Sequence, residues 1–334
     1  MNKKISVGLI GMGRMGLIYA EDLSYRVANV RLTAVSDVNP AAEEKAGELG
    51  IPKWYPDYHD MLADRFIDAV IIVTPTHTHR EIVIAAAEHG KAIFCEKPLA
   101  ISLDEGLEMQ QAIAENGVFF HMGLMRRFDR SYRAAKEKIE EGVIGRPVVF
   151  KASTRDPFRP SLEYLDPRHS GGIILDMGIH DIDLAHWLIG GISQVYTTGG
   201  ILAYPEVSEV GDLDNAIITL NFKSGALGVI DLTRRGVYGY DIRTEILGTE
   251  GAVQIGYLRE TPLRVMTEEG VMHDAVPYFT QRFEQAYIDQ LRNFVEHLML
   301  DKEPSINCAD GIAGLEVALA AVQSYKEKRP VTLS

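Results

Sequence analysis

The stretch KISVGLIGMGRMG, residues 4–16, runs from an apolar segment directly into a cluster of glycines. Ile5 to Ile10 have the composition of a buried β-strand, and Gly11, Gly13 and Gly16 follow with the spacing GxGxxG. Glycines at 11 and 13 would let the backbone approach a pyrophosphate, which would sit at the N-terminus of the next helix. Glycine turns are common, so the neighbouring segments have to support this interpretation.

A second apolar segment, VRLTAVSD, ends in Asp37, 21 residues after Gly16. A dinucleotide-binding fold places an acid at this point to bind the ribose hydroxyls. Asp37 is followed by Val38 and Asn39, with no Arg or Lys to hold a 2′-phosphate. The sequence therefore predicts NAD as the cofactor in preference to NADP.

Helical and strand-like segments continue to alternate after Asp37. We predict helices over 40–49, 58–63 and 79–89, and strands at AVIIVTP (69–75) and KAIFCEKP (91–98). Such alternation predicts a doubly wound parallel sheet, whose ligands bind beyond the carboxyl ends of the strands. His89 precedes Gly90 and is expected to end its helix, where a histidine interacts favourably with the dipole.

Polar residues at the ends of these strands are candidate ligand contacts. Lys97 follows an apolar strand and precedes a proline, and its ammonium group would stabilise a developing oxyanion. The predicted cofactor contacts are Gly11, Gly13, Arg14, Met15, Asp37, Thr74, Pro75, His79, Glu96 and Lys97.

The bulk composition favours small-molecule chemistry. A chain of 334 residues with 46% hydrophobic residues suggests two domains, and a net charge of -13 argues against nucleic-acid or anionic membrane partners. The longest apolar runs are too short to span a bilayer, so no membrane association is expected. Two cysteines without a CxxC pair fit a reducing cytoplasm.

The stretch GGIILDMGIHDIDLAHW, residues 171–187, places ionisable side chains in what the sequence predicts to be one buried helix. Asp176, His180, Asp183 and Trp187 would lie within about 40° of one another on its surface. Three interpretations remain open from the residues alone. In the first, Asp176 is an N-cap and the other side chains are buried polar groups with hydrogen-bond partners in the protein. In the second, Asp and His side chains ligate a metal ion. In the third, an acid/base pair faces a pocket.

These motifs together resemble a known family. GLIGMGRMG, Asp37, TPTHTH, GKAIFCEKPL and GGIILDMGIHDID occur in the order typical of the glucose-fructose oxidoreductase/inositol dehydrogenase/rhizopine catabolism (Gfo/Idh/MocA) family. The resemblance covers the whole chain. It implies an N-terminal Rossmann domain and a C-terminal α/β domain with a large, open, mostly antiparallel sheet that often mediates oligomers. It also implies a catalytic trio, which maps onto Lys97, Asp176 and His180.

Within the family, MRRFD (125–129) and YGYDIRTEILGTEG (238–251) are most similar to bacterial inositol 2-dehydrogenases. By that resemblance the candidate substrate contacts are Arg127, Asp156, Asp183 and Tyr240. The chain departs from the family in having Thr76 where Asn is frequent. The stretch TRDPFRPSLEYLDPRHSGG (154–172) also departs from the family pattern, and we expect it to line the substrate side of the active site.

The predicted domains are residues 1–124, which bind NAD, and residues 125–334, which bind substrate and form oligomers. The second domain is expected to contain helices over 131–141, 283–298 and 310–326, and β-rich runs over 146–154, 194–202, 214–222, 226–234, 241–249 and 251–257. A large sheet with one uncovered apolar face needs a partner, so we expect a homodimer or homotetramer.

The predicted function is NAD-dependent oxidation of a secondary hydroxyl of a cyclic polyol or monosaccharide, with myo- or scyllo-inositol oxidised to an inosose as the leading case. His180 would take the hydroxyl proton, Asp176 would orient the hydroxyl or the imidazole, and Lys97 would stabilise alkoxide character. No metal is expected, because NAD accepts the hydride and Lys97 supplies the cation. The alternatives are a pyranose or anhydrosugar dehydrogenase, an NAD-using glycoside hydrolase, and a non-catalytic NAD or sugar sensor.

Overall fold

The computed structural model describes residues 4–256 and 259–333. Tyr257, which ends the predicted run 251–257, and the termini 1–3 and 334 of the predicted domains lie outside the described residues. The chain divides into two compact units, the first formed by residues 1–124 with 287–315 and the second by residues 125–286 with 316–334. The functions assigned above to residues 1–124 and 125–334 stay predictions.

The first 124 residues alternate strands with helices. In chain order the elements are β1 (Ile5–Ile10), α1 (Arg14–Tyr25), β2 (Val30–Ser36), α2 (Ala41–Glu48), β3 (Trp54–Tyr55), α3 (Tyr58–Ala63), β4 (Ala69–Ile72), α4 (His79–Glu88), β5 (Ala92–Glu96), α5 (Leu103–Asn116) and β6 (Phe120–Gly123). In the part of the chain that the structure describes, six strands pair in parallel in the order β3-β2-β1-β4-β5-β6. The predicted doubly wound sheet is confirmed.

Burial and capping residues account for several of these strands and helix ends. All residues of β4 and β5 are buried, as expected where helices cover both faces of a parallel sheet. Asp57 is the N-cap of α3 and accepts a hydrogen bond from the backbone amide of His59. His89 is the C-cap residue directly after α4, and its Nδ1 lies 2.8 Å from the carbonyl oxygen of Ala85. The predicted role of His89 as a helix C-terminal residue is confirmed. α5 and β6 have no counterpart among the predicted elements.

The remaining elements begin after Leu124. They are α6 (Arg130–Glu140), β7 (Pro147–Arg155), α7 (Leu162–Leu165), α8 (Pro167–Ser170), α9 (Gly172–Asp176), α10 (Ile179–Ile189), β8 (Ile192–Gly200), β9 (Asn215–Phe222), β10 (Leu227–Thr233), β11 (Asp241–Gly248), β12 (Ala252–Ile255), β13 (Arg264–Thr267), β14 (Gly270–His273), α11 (Phe279–Arg282), α12 (Glu284–Met299), α13 (Cys308–Glu327) and β15 (Val331–Thr332).

The second unit is built on a mixed sheet. Over the described ranges, seven strands run in the order β12-β11-β7-β10-β9-β8-β15, and every neighbouring pair is antiparallel except β7 with β10. The predicted mostly antiparallel sheet is therefore confirmed. Helix α10 packs on β7 and β10, and the buried and exposed residues of β9 alternate strictly. The other face carries exposed apolar side chains, among them Ile217, Leu227 and Leu247.

The two cysteines, Cys95 and Cys308, are free thiols and are buried. Burial raises the pKa of both thiols, that of Cys308 to about 12. Neither thiol is therefore activated as a nucleophile. In the described parts of the chain, no helix combines the length and the apolar character needed to cross a membrane.

Candidate active site

The glycine motif forms the turn between β1 and α1. A Cβ at Gly11, where φ is +99°, would lie 2.8 Å from the carbonyl oxygen of Val73, and a Cβ at Gly16 would lie 2.0 Å from the carbonyl oxygen of Gly11. Only glycine fits at either position. Gly13 is the N-cap of α1 and provides no capping side chain, and nothing lies within 4 Å of its Cβ position. The first-turn amides of α1 therefore suit a dinucleotide pyrophosphate.

Arg14, Met15 and Asp37 lie next to the glycine turn between β1 and α1. Arg14 and Met15 are the first residues of α1, and Arg14 is exposed. The carboxylate of Asp37 accepts hydrogen bonds from the backbone amides of Met12 at 2.6 Å and Asn39 at 2.8 Å. Asp37 is thereby fixed beside the glycine turn, and its contact with the ribose hydroxyls stays a prediction.

His79 joins the loops that follow β4 and β5. Its Nδ1 lies 2.9 Å from the carbonyl oxygen of Pro98, and its Nε2 lies 3.0 Å from that of Thr74. The ring is buried, and burial lowers its pKa. Pro75, in the loop that follows β4, is exposed, and Thr76 begins a short 3-10 helix before α4. His79 therefore links the main chain at Thr74 to the main chain at Pro98, and its contact with the cofactor stays a prediction.

Lys97 is half-buried and directly follows β5. Its backbone amide donates a 3.0 Å hydrogen bond to Oε2 of Glu96, and Oε1 of Glu96 accepts from the hydroxyl of Tyr19. Burial raises the pKa of Glu96, although Tyr19 and Lys97 act in the opposite direction. Both carboxylate oxygens of this predicted cofactor contact are therefore bound within the protein.

The single helix predicted over 171–187 is wrong. Helix α9 ends at Asp176, Met177 and Gly178 form a turn, and α10 begins at Ile179. A Cβ on Gly178 would lie 2.4 Å from the carbonyl oxygen of Ile174, so a glycine is needed at this turn. Asp176 is thus not an N-cap, and it ends a different helix from the one that carries His180 and Asp183.

Asp176 is held by two side chains at the end of α9. The hydroxyl of Tyr164 donates to its Oδ1 at 3.0 Å, and the guanidinium of Arg234 donates to its Oδ2 at 3.2 Å. Tyr164 belongs to the stretch 154–172 that was expected to line the substrate side. Asp156 lies 3.9 Å from the same guanidinium. Arg234 was not predicted; its position directly after β10 is the only signal that the sequence offers.

His180 lies half-buried in the first turn of α10, and its neighbour Asp181 anchors that turn. The carboxylate of Asp181 accepts from Arg126 and from the hydroxyl of Thr154, both at 2.6 Å. Burial raises the pKa of Asp181, although Arg126 beside it acts in the opposite direction. This buried ion pair was also not predicted, and it fixes the backbone that carries His180.

Two predicted substrate contacts are paired with each other. Arg127 donates hydrogen bonds from Nε and Nη2 to the carboxylate of Asp183, the shortest at 2.6 Å. The guanidinium also lies 5.8 Å from the ring centroid of Trp187. Tyr240, the remaining candidate, is buried, and burial raises the pKa of its hydroxyl. The second unit therefore brings together two groups, Arg127 with Asp183 and Asp156 with Asp176.

The predicted catalytic trio is divided between the two units. Lys97 belongs to the first unit, while Asp176 and His180 belong to the second. Their action on one substrate stays a prediction. Among the residues that the structure describes, no group of three or more His, Cys, Asp or Glu side chains is arranged to hold a metal ion.

Known proteins resemble the chain over its whole length. Residues 5–124 match the family model described as oxidoreductase family, NAD-binding Rossmann fold, and residues 136–333 match its C-terminal alpha/beta domain. The chain is 42% identical to scyllo-inositol 2-dehydrogenase (NAD(+)) of Bacillus subtilis, covering 100% of this chain and 97% of that protein. It is 40% identical to myo-inositol 2-dehydrogenase of Thermotoga maritima, covering 98% of each.

A solved structure is similar over the same extent. The scyllo-inositol dehydrogenase from Lactobacillus casei, with bound NAD(H) and scyllo-inositol, superimposes with a TM-score of 0.94 at 32% identity. The match covers 99% of each chain.

Proposed function

Because the chain belongs to the Gfo/Idh/MocA oxidoreductase family, with an NAD-binding Rossmann fold and the family's C-terminal α/β domain, we propose that it oxidises one secondary hydroxyl of an inositol to the ketone. The observation that carries the proposal is the set Lys97, Asp176 and His180 in a chain so similar to scyllo- and myo-inositol dehydrogenases. Its substrate class is therefore a cyclic polyol.

The oxidation removes a hydride from carbon and a proton from oxygen. When bound, NAD supplies the acceptor for the hydride. An imidazole nitrogen of His180 accepts the hydroxyl proton as the carbinol becomes a carbonyl, because imidazole titrates near neutral pH. The ion pair of Asp181 with Arg126 keeps the first turn of α10 in place for this transfer.

Lys97 supports that proton transfer through its charge, and Asp176 supports it by orienting the reacting groups. The ammonium of Lys97 stabilises negative charge on the hydroxyl oxygen as its proton leaves. Asp176 orients the hydroxyl or the imidazole, and its own carboxylate is held by Tyr164 and Arg234. Such preorganisation reduces the rearrangement needed in the transition state.

Substrate recognition is assigned to polar side chains of the second unit. A polyol presents hydroxyls that both donate and accept, and the pair of Arg127 and Asp183 offers groups of both kinds. Asp156 adds a carboxylate acceptor near Arg234. The hydroxyl of the buried Tyr240 is proposed as a further contact to the substrate.

We further propose that the protein is a cytoplasmic homodimer or homotetramer. Exposed Ile217, Leu227 and Leu247 lie on the open face of the seven-stranded sheet, and association would remove them from water. Light scattering after gel filtration tests this proposal. A monomer at micromolar concentration would contradict it.

The first experiment is NADH formation by the purified protein with myo-inositol, scyllo-inositol, other inositols, glucose, xylose and anhydrosugars, repeated with NADP. We expect strong NAD-linked turnover of at least one inositol, and the panel identifies the epimer. Turnover restricted to a pyranose or anhydrosugar would replace the inositol assignment. Glycoside cleavage without net NADH would indicate the hydrolase, and NAD binding without any turnover would indicate a sensor.

A further inference from the structure

A buried chain of hydrogen bonds lies behind Lys97 in the first unit. Tyr19, on α1, is fully buried, and its hydroxyl donates to Oε1 of Glu96. The same hydroxyl accepts a hydrogen bond from Nε2 of Gln290, on α12. The other oxygen of Glu96 accepts from the backbone amide of Lys97 at 3.0 Å.

The direction of these hydrogen bonds follows from the donors available. A phenol has one proton, and here it is given to a carboxylate, which is the stronger acceptor. The amide group of Gln290 must therefore present its NH2 to Tyr19. Glu96 receives two donors, one on each oxygen, from Tyr19 and from the Lys97 main chain.

This network is costly to bury. Glu96 is 7% exposed, and burial raises its pKa, so the folded protein keeps an acid where an apolar residue would be easier to accommodate. The ring of Tyr19 already packs edge-on against Phe94 and Tyr287, each with 6.0 Å between ring centroids. Packing alone therefore explains the aromatic ring at position 19 but not its hydroxyl.

The network also reaches the glycine turn. Tyr19 lies one helical turn after Gly16, and Gly16 is in close contact with the backbone of Gly11. Helix α1 thus contacts the candidate pyrophosphate site at its N-terminus and Glu96 at its second turn. Through Glu96 it also fixes the amide of Lys97.

We propose that Tyr19 and Glu96 are positioning residues for Lys97. By binding its backbone amide, they fix the main chain of Lys97 relative to α1, so that its ammonium is held where the hydroxyl oxygen gains negative charge. This inference rests on the proposed function, because it assumes that Lys97 acts on that oxygen. In this role Tyr19 acts through Glu96 and touches neither substrate nor cofactor.

Tyr19→Phe tests the proposal, because it keeps the packed ring and removes only the hydroxyl. Tyr25→Phe is the matched control, since Tyr25 lies on the same helix and is 71% exposed. In Tyr19→Phe we expect kcat to fall about 10-fold, the scale of one lost buried hydrogen bond. We expect KM for the polyol and Kd for NAD to stay within about 2-fold, since binding groups are untouched.

A second readout does not depend on turnover. Hydrogen exchange followed by mass spectrometry reports on the backbone amide of Lys97, which the network protects. We expect faster exchange in the peptide that contains Lys97 for Tyr19→Phe, and wild-type exchange for Tyr25→Phe. Glu96→Gln should also lower kcat and speed exchange at Lys97, because one amide oxygen replaces two carboxylate acceptors. NAD affinity is compared only in Tyr19→Phe, since Glu96 is itself a predicted cofactor contact.

The outcomes separate this inference from the proposed function. Wild-type kcat and wild-type exchange in both Tyr19→Phe and Glu96→Gln would overturn it. Equal losses of kcat and NAD affinity, with faster exchange throughout the first unit, would also overturn it by indicating a general structural role. If the wild type oxidises no polyol, the proposed function fails, while local exchange at Lys97 still decides whether the network holds its backbone.

Discussion

Arg234 and Asp176 form an ion pair inside the second unit, with 3.2 Å between Nη2 and Oδ2. Arg234 is only 1% exposed, and Asp156 and Asp212 also act on its charge. One guanidinium therefore balances three carboxylates. The pKa of Arg234 is raised because these acids outweigh the effect of burial.

Replacing Arg234 by Met should destabilise the second unit. The change leaves Asp176 and its neighbours without their cation, and we expect a loss of about 3–5 kcal/mol in the free energy of unfolding. Urea unfolding followed by Trp187 fluorescence, in a Trp54→Phe background, measures it. Arg235→Met is the control, since Arg235 is the exposed neighbour in sequence. Equal stability of the two variants would contradict the role given to Arg234.

His180→Ala should reduce kcat by about 100-fold or more, the usual scale for general acid/base catalysis. The measurement is NADH formation at saturating polyol, with circular dichroism to verify the fold. His186→Ala, on the same helix, should keep most of the activity. Near-normal turnover by a folded His180→Ala would remove His180 from the mechanism.

Asp37→Ser should weaken discrimination between the two dinucleotides. The variant loses the carboxylate that would bind the ribose hydroxyls and repel a 2′-phosphate, so we expect kcat/KM with NAD to fall about 10-fold. The ratio of NADP to NAD efficiency should rise. Asp60→Ser, which removes an exposed charge on α3, should change neither value. An unchanged ratio in Asp37→Ser would be evidence against the assigned ribose contact.

His121 should make the first unit less stable in acid. Burial lowers its pKa to about 4, whereas an unfolded histidine titrates near 6.5. The folded state then binds fewer protons, so this stability is present above about pH 6.5 and is lost as pH falls toward 4.

The expected loss from His121 between pH 7.5 and 4.5 is about 2–3 kcal/mol. His121→Gln should be measurably less sensitive to acid, while exposed His89→Gln should behave as wild type. Urea unfolding at both pH values, followed by Trp54 fluorescence in a Trp187→Phe background, provides the comparison. A pH dependence that is identical in all three proteins would show that His121 does not titrate as its burial implies.

Local sequence signals were sufficient for the parallel sheet as far as β5. The glycine motif, Asp37 and the alternation of segments depend on contacts between neighbouring elements, and they predict β1, β2, β4 and β5 but not the edge strand β6. The polar support of the site depends on distant pairs. Arg234 is 58 residues from Asp176, and Tyr19 is 77 residues from Glu96, so nothing in either segment indicates its partner.

The break between α9 and α10 shows another limit of periodicity. Met177 (φ -95°, ψ -45°) and Gly178 (φ -67°, ψ -26°) stay close to helical backbone angles. Apolar side chains therefore continue to recur at nearly helical spacing across the turn, and both Ile173 and Leu184 are buried. The pattern indicates burial correctly but not that the helix ends at Asp176.

The first unit is completed by residues 287–315, which are synthesised long after residues 1–124. Phe94 packs against Phe294 with 5.7 Å between ring centroids, and the amide of Met122 donates to the carbonyl oxygen of Ile306. Gln290 completes the network of Tyr19. As the ribosome releases the chain from its N-terminus, the Rossmann sheet emerges long before these partners. Until residues 287–315 are synthesised, part of the core of the first unit therefore stays exposed.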